Sequence, residues 1–367
     1  MGNLYIGLMS GTSMDGIDAA LVRIGDAAIE ILHCNAYPYP DALREELLAA
    51  ITVPLHEELP NLAALHRRTG ECFRDAAISL LQAAGVNAAA VAAIGSHGQT
   101  LRHQPNATQP FTLQIGDPGI IAAGSGITTV ADFRSADIAA GGQGAPLAPG
   151  FHEWLFRTGK AHRAVLNIGG IANLTLLSAD QPTIGFDTGP GNTLLDAWIR
   201  EQRSAPFDKD GAWAKSGKLN TALLQRFLTD PYFAAAPPKS TGFEHFNLPW
   251  IVAADIAGIE PADVQATLCA LSAQTISDAL HRFAPGTTEV LVCGGGIHNP
   301  VLMAEIGARL PGIDVVSTAT AGLHPDWVEA AAFAWLAMRR LHELPGNLPS
   351  VTGARAAVRL GDIHQPQ

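Results

Sequence analysis

Glycine, hydroxyl and carboxyl residues cluster in GLMSGTSMDGID, residues 7–18, where an apolar segment gives way to a polar one. Glycine tolerates left-handed backbone and leaves neighbouring amide groups uncovered, so a turn of this composition commonly lets the backbone approach a phosphate. The lysine of a phosphate-binding loop is absent from this stretch. We therefore expect an anion bound here to be held by backbone amides and hydroxyls.

Two later stretches repeat the pattern of an apolar segment followed by a glycine-containing polar turn. They are NIGGIANLT at residues 167–175 and CGGGIHN at residues 293–299. Two facing hairpin turns can hold the β- and γ-phosphates and Mg²⁺ of a nucleotide from both sides, and a third turn can carry the adenosine. Each hairpin taken singly is also compatible with an ordinary β-turn. The three in this order predict a nucleotide site.

The other short motifs do not have the spacing that their chemistry requires. GAWAKSGKL at residues 211–219 has five residues between its outer glycines where a Walker A loop needs four, and Leu219 replaces the Mg²⁺-binding hydroxyl. CGGGIHN lacks the third glycine of the dinucleotide fingerprint, no H-E-x-x-H occurs, and neither GLMSGT nor GTSMDG is a G-x-S-x-G elbow. These spacings argue against P-loop, Rossmann, zinc-protease and serine-hydrolase sites.

Two carboxylates are candidates for chemistry. Asp187 follows an apolar segment and lies just before a Gly-Pro-Gly turn, where the backbone leaves room for a substrate and apolar walls can raise the pKa of a carboxyl group. We predict that Asp187 is the general base; the alternative is the N-cap of the following helix, for which Asn192 is closer. Glu329 is a lone charge among small apolar residues in HPDWVEAAAFAWLAM, and lies either on a solvated face or in a pocket.

Alternating strands and helices must position these residues. YIGLMS, AALVRIG and IEILHCNAYP are predicted strands joined by tight turns, and Asp15-Gly16 is the clearest hairpin signal. A helical apolar stripe covers residues 60–84, and VAAIGSHGQT and FTLQIGDP predict two further strands that end in glycine and polar residues. Open α/β sheets bind ligands at such strand ends.

A second cycle of elements follows the order of the first. Residues 163–178 predict a strand, a polar turn and a strand, and residues 183–199 predict a strand followed by an amphipathic helix. Residues 289–306 predict a buried strand, three glycines and a helix capped by Asn299 with Pro300 at its first position. The sequence thus predicts a weak internal duplication of an α/β half.

Length and composition limit the possible classes of protein. The 367 residues predict two domains, which we place at residues 1–132 plus 345–367 and at residues 133–344. A formal net charge of −11 argues against a nucleic-acid or anionic-membrane partner, and four cysteines without a C-x-x-C pair argue against a zinc ribbon or dithiol site. Without a secretory leader or a run of 18 apolar residues, the chain is expected to be soluble and cytoplasmic.

Seven motifs together resemble the 1,6-anhydro-N-acetylmuramic acid kinase family, enzymes of peptidoglycan recycling. They are GLMSGTSMDGIDAALV, GSHGQT, QIGDPGIIA, DFRSADIAAGGQGAPLAP, NIGGIANLT, GFDTGPGNTLLDAW and CGGGIHN. The resemblance runs from residue 5 to about residue 360 without a large insertion. It implies a two-domain, actin-like α/β fold with ribonuclease H-like halves, and ATP and Mg²⁺ in the cleft between the domains.

The resemblance also implies which residues bind the nucleotide. The phosphate loop comprises Gly11, Thr12, Ser13, Met14, Asp15, Gly16, Ile17 and Asp18, the second turn comprises Asn167, Gly169 and Gly170, and the adenosine-side turn comprises Gly294, Gly295 and Gly296. The hydroxyls of Thr12 and Ser13 can donate to phosphate oxygens, while Asp15 or Asp18 can hold Mg²⁺ through water. A turn-capping role remains the alternative for both carboxylates.

Residues of the first half and of the connection that follows it are expected to line the amino-sugar site. They are His97, Gln99, Asp117, Arg134, Gln143 and Gly144. Amide, carboxylate and guanidinium groups suit hydroxyl, acetamido and lactyl-carboxylate recognition, and Arg134 suits a carboxylate best. For His97, a structural role is an equal alternative.

The resemblance implies a homodimeric kinase that uses Asp187 to activate a water, opens the anhydro bridge and phosphorylates the freed oxygen. A kinase for another amino sugar is one alternative. A metal-dependent carbamoyltransferase on the same scaffold would need an H-x-x-x-H pair, which the 13 histidines do not provide. A nucleotide-gated regulatory protein would keep the glycine turns but would not need a base facing an acceptor.

Overall fold

Two compact units make up the chain. The computed structural model describes residues 2–11, 14–55, 57, 59, 61–159 and 161–366. Unit 1 comprises residues 1–155 and 327–367, and unit 2 comprises residues 156–326. Both division points differ from the predicted ones at 132/133 and 344/345.

Groups of strands are separated by groups of helices along the chain. The strands are β1 (Asn3–Met9), β2 (Gly16–Ile24), β3 (Ile29–Pro38), β4 (Val91–Ser96), β5 (Gln99–Gln104), β6 (Phe111–Ile115), β7 (Thr129–Ala131), β8 (Arg163–Ile168), β9 (Ile171–Leu177), β10 (Ile184–Pro190), β11 (Glu289–Cys293), β12 (Asp314–Ser317) and β13 (Asp362–His364). The α-helices are α1 (Asp41–Thr52), α2 (Leu62–Ala84), α3 (Pro118–Ser125), α4 (Ser135–Ala139), α5 (Ala148–Phe156), α6 (Thr193–Arg203), α7 (Ala212–Ser216), α8 (Thr221–Leu228), α9 (Pro231–Ala234), α10 (Leu248–Val252), α11 (Pro261–Phe283), α12 (Pro300–Arg309), α13 (Val328–Leu341) and α14 (Pro349–Thr352).

Unit 1 is built on a mixed sheet with the strand order β13-β7-β4-β1-β2-β3. β1, β2 and β3 are antiparallel neighbours, whereas β4 runs parallel to β1 and β7 runs parallel to β4. Strands β5 and β6 form a separate antiparallel pair. The predicted helical stripe is confirmed as α2, which buries Leu65, Phe73 and Leu80 in the core beside Ile6 and Leu8 of β1.

Helix α13 packs very closely on the same sheet and belongs to unit 1 for that reason. Gly7 alternates with Ile6 and Leu8, so it lies on the opposite face of β1. A Cβ atom on Gly7 would lie 1.7 Å from the Ala330 carbonyl oxygen, so only glycine allows this approach. The Trp335 ring also lies 6.0 Å from the ring of Phe151 in α5. These contacts explain why unit 1 extends into α5 and resumes just before α13.

Unit 2 has the strand order β10-β9-β8-β11-β12. β8, β9 and β10 are antiparallel neighbours, β11 runs parallel to β8, and β12 runs parallel to β11. The long helix α11 is buried along most of its length, and its residues Leu268, Leu271 and Ile276 pack in the core of this unit. Each sheet therefore contains three antiparallel strands followed by two parallel ones. The predicted duplication and the α/β fold with ribonuclease H-like halves are confirmed by this shared order.

One predicted strand is wrong. VAAIGSHGQT forms two strands, β4 and β5, which are separated by His97 and Gly98. Gly98 has φ of +73°, a left-handed conformation that interrupts extended backbone. The predicted cap is correct, because Asn299 accepts hydrogen bonds from the amides of Val301 and Leu302 at the start of α12.

No helix in the part of the chain that the structure describes is long and apolar enough to cross a membrane.

Candidate active site

The first glycine turn connects β1 to β2. Thr12 and Ser13, the predicted hydroxyl donors, lie outside the described residues. Before them, the buried Ser10 hydroxyl lies 2.8 Å from the Gly16 carbonyl oxygen and ties the two ends of the turn together. Met14 adopts φ of +54° and is buried, and its amide donates to the carbonyl oxygen of Gly11. The turn is thus closed by its own polar groups.

Gln99, a predicted sugar contact, supports this turn from β5. Its side chain is fully buried, and Nε2 donates to the Gly11 carbonyl oxygen at 3.2 Å. Its Oε1 lies 2.7 Å from the Ser10 hydroxyl and 3.4 Å from the Tyr39 hydroxyl. The side-chain amide of Gln99 is thus engaged within the protein and links this glycine turn to the β5–β6 pair.

Arg44 of α1 also holds this turn, although no local pattern in the sequence indicates it. Its Nε donates to the Met14 carbonyl oxygen at 3.0 Å, and its Nη2 donates to Asp15 Oδ1 at 3.0 Å. Asp15, a predicted metal residue, is therefore paired with a guanidinium. Asp18, the other predicted metal residue, is half-buried on β2 opposite Met9. Among the described residues, no three His, Cys, Asp or Glu side chains form a metal cluster.

The second glycine turn connects β8 to β9 through Gly169 and Gly170. Their carbonyl oxygens accept hydrogen bonds from the amides of Gly191, Asn192 and Thr193, at 2.8 to 3.0 Å. A Cβ on Gly191 would lie 2.4 Å from the Gly169 oxygen, so this packing requires glycine. Asn192 occupies the N-cap of α6, but its side chain does not cap the helix.

The third glycine turn follows β11 and lies against the second. β11 pairs with β8 so that Cys293 lies opposite Asn167. Gly294 has φ of +80°, and a Cβ on it would lie 2.2 Å from Asn167 Oδ1. The corresponding atom on Gly296 would lie 2.2 Å from Ile168 Cγ2. The structure therefore brings the two nucleotide turns predicted in unit 2 into direct contact.

Gly295 lies at the surface of this turn. No atom lies within 4 Å of a Cβ built on it. Its backbone is thus the part of the turn that a ligand can approach most closely.

Asp187 lies on β10 in a row of polar side chains. It is opposite Asn173 of β9, which is in turn opposite Asn167 of β8. Their neighbours Phe186 and Leu174 point into the core, so the polar row lies on the other face of the sheet. Asn173 was missed, although the alternation of polar and apolar residues in IANLTLL could have indicated it.

A single segment of unit 2 surrounds Asp187. Its Oδ2 accepts a hydrogen bond from the Thr241 amide at 3.0 Å, and its own amide donates to the Lys239 carbonyl oxygen at 3.1 Å. Its carbonyl oxygen accepts from the Tyr232 hydroxyl at 2.9 Å. The alternative role of Asp187 as a helix cap is excluded, because α6 begins at Thr193.

Burial raises the pKa of Asp187 to about 6. The Thr241 amide and the Lys239 charge lower this pKa, while Glu244 raises it. The carboxyl keeps some exposed surface but is largely surrounded by protein. A carboxyl group that titrates just below neutral pH has the proton affinity of a useful general base.

His97 and Arg134 form a buried pair in unit 1. The Arg134 Nη2 and Nε atoms lie 2.8 and 3.2 Å from His97 Nε2. Burial, and next the Arg134 charge, hold the pKa of His97 well below its usual value, so the ring is neutral. Because Nε2 accepts from the guanidinium, the proton of the neutral ring is on Nδ1. Burial also lowers the pKa of Arg134 to about 10, although Glu329 and Asp137 raise it.

The backbone around Gln143 and Gly144 is held by Asp137, which sequence reasoning missed. Asp137 is fully buried and accepts hydrogen bonds from the Gly144 amide at 2.7 Å and the Thr352 hydroxyl at 2.7 Å. The Gly144 carbonyl oxygen accepts from Arg134 Nη1 at 2.8 Å. Arg134 is thereby fixed between His97 and this loop.

The two remaining predicted site residues of unit 1, the candidate catalytic Glu329 and the candidate sugar contact Asp117, have different surroundings. Glu329 is exposed in the first turn of α13, consistent with the solvated-face alternative, and its charge acts on Arg134. Asp117 accepts hydrogen bonds from the Gly119 and Ile120 amides and caps α3. It also lines a cavity of about 430 Å³ together with His97.

Comparison with known proteins identifies the family. The family model described as anhydro-N-acetylmuramic acid kinase matches residues 3–366. An anhydro-N-acetylmuramic acid kinase of Xanthomonas campestris pv. campestris (strain 8004) is 53% identical over 365 residues, covering 98% of this chain and 97% of the relative. That of Vibrio cholerae serotype O1 is 50% identical over 365 residues, covering 99% and 98%.

A solved structure gives only a weak likeness. A ROK family glucokinase from Streptomyces griseus aligns at a TM-score of 0.41 with 16% identity, covering 91% of this chain and 99% of that one. The sequence comparisons, in contrast, extend over nearly the whole chain and agree with the resemblance drawn from the motifs. The chain belongs to the anhydro-N-acetylmuramic acid kinase family.

Proposed function

We propose that this protein transfers the γ-phosphoryl group of ATP to 1,6-anhydro-N-acetylmuramic acid while hydrolysing its 1,6-anhydro bridge. The products are N-acetylmuramic acid 6-phosphate and ADP, as peptidoglycan recycling requires. Family membership supports the kinase activity and the amino-sugar acceptor. The observation that carries the proposal at the level of residues is the buried carboxyl group of Asp187, whose pKa is raised to about 6.

Asp187 removes a proton from water in this reaction. In an ordinary sugar kinase the base deprotonates a free hydroxyl, but O6 of the anhydro sugar is bonded to C1 and carries no proton. Water therefore attacks C1 from the face opposite O6, its proton passes to Asp187, and the C1–O6 bond breaks. The freed O6 forms a bond to the γ-phosphorus as the bond to the ADP oxygen breaks, so atoms and charge balance.

The hydrogen bonds of Asp187 indicate which oxygen accepts the proton. Oδ2 already accepts from the Thr241 amide. Within the described part of the chain, Oδ1 receives no hydrogen bond. We assign the transferred proton to Oδ1, with Oδ2 held in place by Thr241.

The glycine turns are proposed to bind the nucleotide through their backbone. Gly170 and Gly295 lack close neighbours on the Cβ side, so phosphate or adenosine atoms can approach their backbone. Mg²⁺, when bound, would neutralise charge on the β- and γ-phosphates. Asp15 or Asp18 is proposed to hold the ion through water, with the phosphates supplying further oxygen ligands.

Arg134 is proposed to bind the lactyl carboxylate of the sugar. Its guanidinium is held in a fixed orientation by His97 and the Gly144 carbonyl oxygen, which favours recognition of a planar carboxylate. The neutral His97 acts through this contact, and Gln143 lies on the same loop. Asp117 and Gln99 are expected to contribute through the backbone that they hold.

Two alternatives are less well supported. A nucleotide-gated regulatory protein would not need a buried carboxyl group with a raised pKa beside glycine turns. A kinase for another amino sugar shares all these features, so a substrate panel is needed to separate it. We also propose a cytoplasmic homodimer; sedimentation as a 38.4 kDa monomer would contradict the dimer.

The mechanism is tested by isotope labelling together with one substitution. In ¹⁸O-water, the product analysed before anomeric exchange should carry one label at the anomeric oxygen and none at O6. Asp187→Asn should lower kcat about 10²- to 10⁴-fold and leave nucleotide binding unchanged. An unlabelled anomeric oxygen, a phosphorylated sugar with an intact bridge, or a nearly active variant would contradict the proposal.

A further inference from the structure

Residues 231–241 of unit 2 fold around Asp187 and are bonded to it at three points. Tyr232 donates to its carbonyl oxygen, Lys239 accepts from its amide, and Thr241 donates to its carboxylate. β10 leaves its regular pairing with β9 between Asp187 and Gly189. The position of the carboxylate thus depends on this segment as well as on the sheet.

Lys239 closes the segment on itself. Its Nζ donates to the Tyr232 carbonyl oxygen at 3.1 Å and lies 4.5 Å from the centre of the Tyr232 ring. The side chain is half-buried, and burial lowers its pKa. Within the described part of the chain, no carboxylate lies within ion-pair distance of this ammonium group. Its charge is therefore not neutralised by a local partner and acts on its surroundings.

The charges around Asp187 come from few groups. Lys239 favours the ionised carboxylate, and Glu244 opposes it. The residue that pairs with Asp187 across the sheet, on β9, is the uncharged Asn173. From α11, Arg282 is bound to the Ala234 carbonyl oxygen and lowers the pKa of Lys239.

Tyr232 is the remaining titratable group of the segment that contacts Asp187. Its hydroxyl donates to the backbone of Asp187, and burial raises its pKa, so the hydroxyl is protonated at neutral pH. Lys239 is consequently the one basic group in this described set whose charge acts on Asp187 directly.

We propose that Lys239 is a positioning residue for the reaction: its ammonium group holds the 232–239 segment folded beside Asp187 and keeps that carboxylate ionised. The inference rests on the proposed function, because it takes Asp187 as the base. The lysine does not touch the reacting atoms. It acts through the segment whose backbone binds Asp187 and through the field of its charge.

The test compares pH profiles of kcat/KM between pH 5 and 9, with ADP release as the signal and the anhydro sugar as acceptor. Lys239→Met removes the charge but keeps an unbranched side chain that is only one atom shorter. Without this charge the pKa of Asp187 rises, so the acid limb of the kcat/KM profile should move to higher pH by about half a unit to one unit. This is less than the 1–3 units typical of charges in contact. This shift corresponds to a loss of about three- to eightfold at pH 5.5, with a much smaller loss at pH 8.5.

Three further variants sharpen the test. Lys239→Arg restores a positive charge and should return the acid limb toward the wild-type position. Lys239→Gln can still donate to the Tyr232 carbonyl oxygen without the charge, and should shift the limb as the Met variant does. Lys218→Met removes an exposed lysine from the same unit and should leave the profile unchanged.

The outcomes separate this inference from the proposed function. If Asp187→Asn is inactive but Lys239→Met and Lys239→Gln lose activity equally at every pH, or raise only the KM for ATP, the inference is wrong and the function stands. If Asp187→Asn remains active, the assignment of the base is wrong and the inference falls with it. A shifted acid limb with an unchanged KM for ATP supports both.

Discussion

The two units repeat one sheet order but stabilise their first glycine turns by different means. In unit 1, side chains from distant elements hold the turn: Gln99 donates to the Gly11 carbonyl oxygen and Arg44 donates to that of Met14. In unit 2, the carbonyl oxygens of Gly169 and Gly170 accept from the backbone of residues 191–193. The first turn can therefore be weakened gradually by side-chain substitution, whereas the second tolerates very little change in backbone packing.

The acidic residues of the two sheets also differ in position. In unit 1, Asp18 lies on the middle strand of the antiparallel part, between Met9 of β1 and Ala36 of β3. In unit 2 the middle strand carries Asn173, and the acidic residue Asp187 lies on the outer strand. The outer strand is where the 231–241 segment can surround a carboxylate. The two sheets share one strand order, but the acidic residue lies on different strands in the two units and has different neighbours.

The largest effect on stability is expected from a glycine of the backbone-packed turns in unit 2. Gly294→Ala places a side chain on a residue with φ of +80° and sets its Cβ 2.2 Å from Asn167 Oδ1 and 2.9 Å from the Ile168 carbonyl oxygen. We expect a loss of about 2–4 kcal/mol in the free energy of unfolding, from left-handed strain and overpacking together. Nucleotide affinity should fall as well. Urea denaturation and calorimetric titration measure both quantities.

Gly307→Ala is the matched control within the same unit. Gly307 lies in α12, and nothing lies within 4 Å of a Cβ built there. Alanine should be neutral or stabilise the helix by up to about 1 kcal/mol. Equal destabilisation by both variants would show that unit 2 is generally intolerant of substitution, and that the turn is not special.

The second prediction concerns the buried carboxyl group of Asp187 in unit 2. The pKa of Asp187 is raised from 3.8 to about 6, so the folded state binds its proton more tightly than the unfolded chain does. The stability contributed by that proton is complete below about pH 4 and is lost as the pH rises through 6. Asp187→Asn does not titrate, so the variant should become the more stable protein at pH 7.5, by up to about 3 kcal/mol.

The measurement is the difference in Tm between wild type and Asp187→Asn from pH 4 to 7.5. Taking the difference removes the contribution of all other titrating groups. The variant should gain relative stability only above about pH 4, with most of the gain reached by pH 7. A constant difference over this range would mean that the carboxyl group is not perturbed by burial.

Local patterns in the sequence were sufficient to predict the framework of both units. The hairpin strands, the α2 stripe, the Asn299 cap and the glycine turns are each encoded within a few consecutive residues. The prediction of Asp187 as the base also came from a local pattern, an acid beside glycines after an apolar strand. The duplication followed from the order of these signals.

The residues that hold the site could not be found in this way. Arg44 lies 30 positions from Met14, and Thr241 lies 54 positions from Asp187. Contacts over such distances depend on how helices and loops return to the sheet, which no local spacing encodes. The contact of Gln99 could not be predicted for the same reason. Gln99 was predicted to bind sugar from its place at a strand end, and its side chain hydrogen-bonds to the Gly11 turn.

The smallest effect is expected from the side-chain-held turn of unit 1. Arg44→Met removes the hydrogen bond to the Met14 carbonyl oxygen and the ion pair with Asp15. Because both partners of the ion pair are more than a third exposed, the pair itself contributes little, and the total loss of stability should be about 1 kcal/mol. The KM for ATP should rise several-fold at constant kcat, since the turn becomes less ordered while the base in unit 2 is untouched.

Arg67→Met, which breaks only the exposed helical pair with Glu71, is the control and should change neither constant. An unchanged KM for ATP in Arg44→Met would mean that Gln99 and the backbone alone hold the turn. The two units would then differ only in the hydrogen bond that the Gln99 side chain donates to the Gly11 carbonyl oxygen.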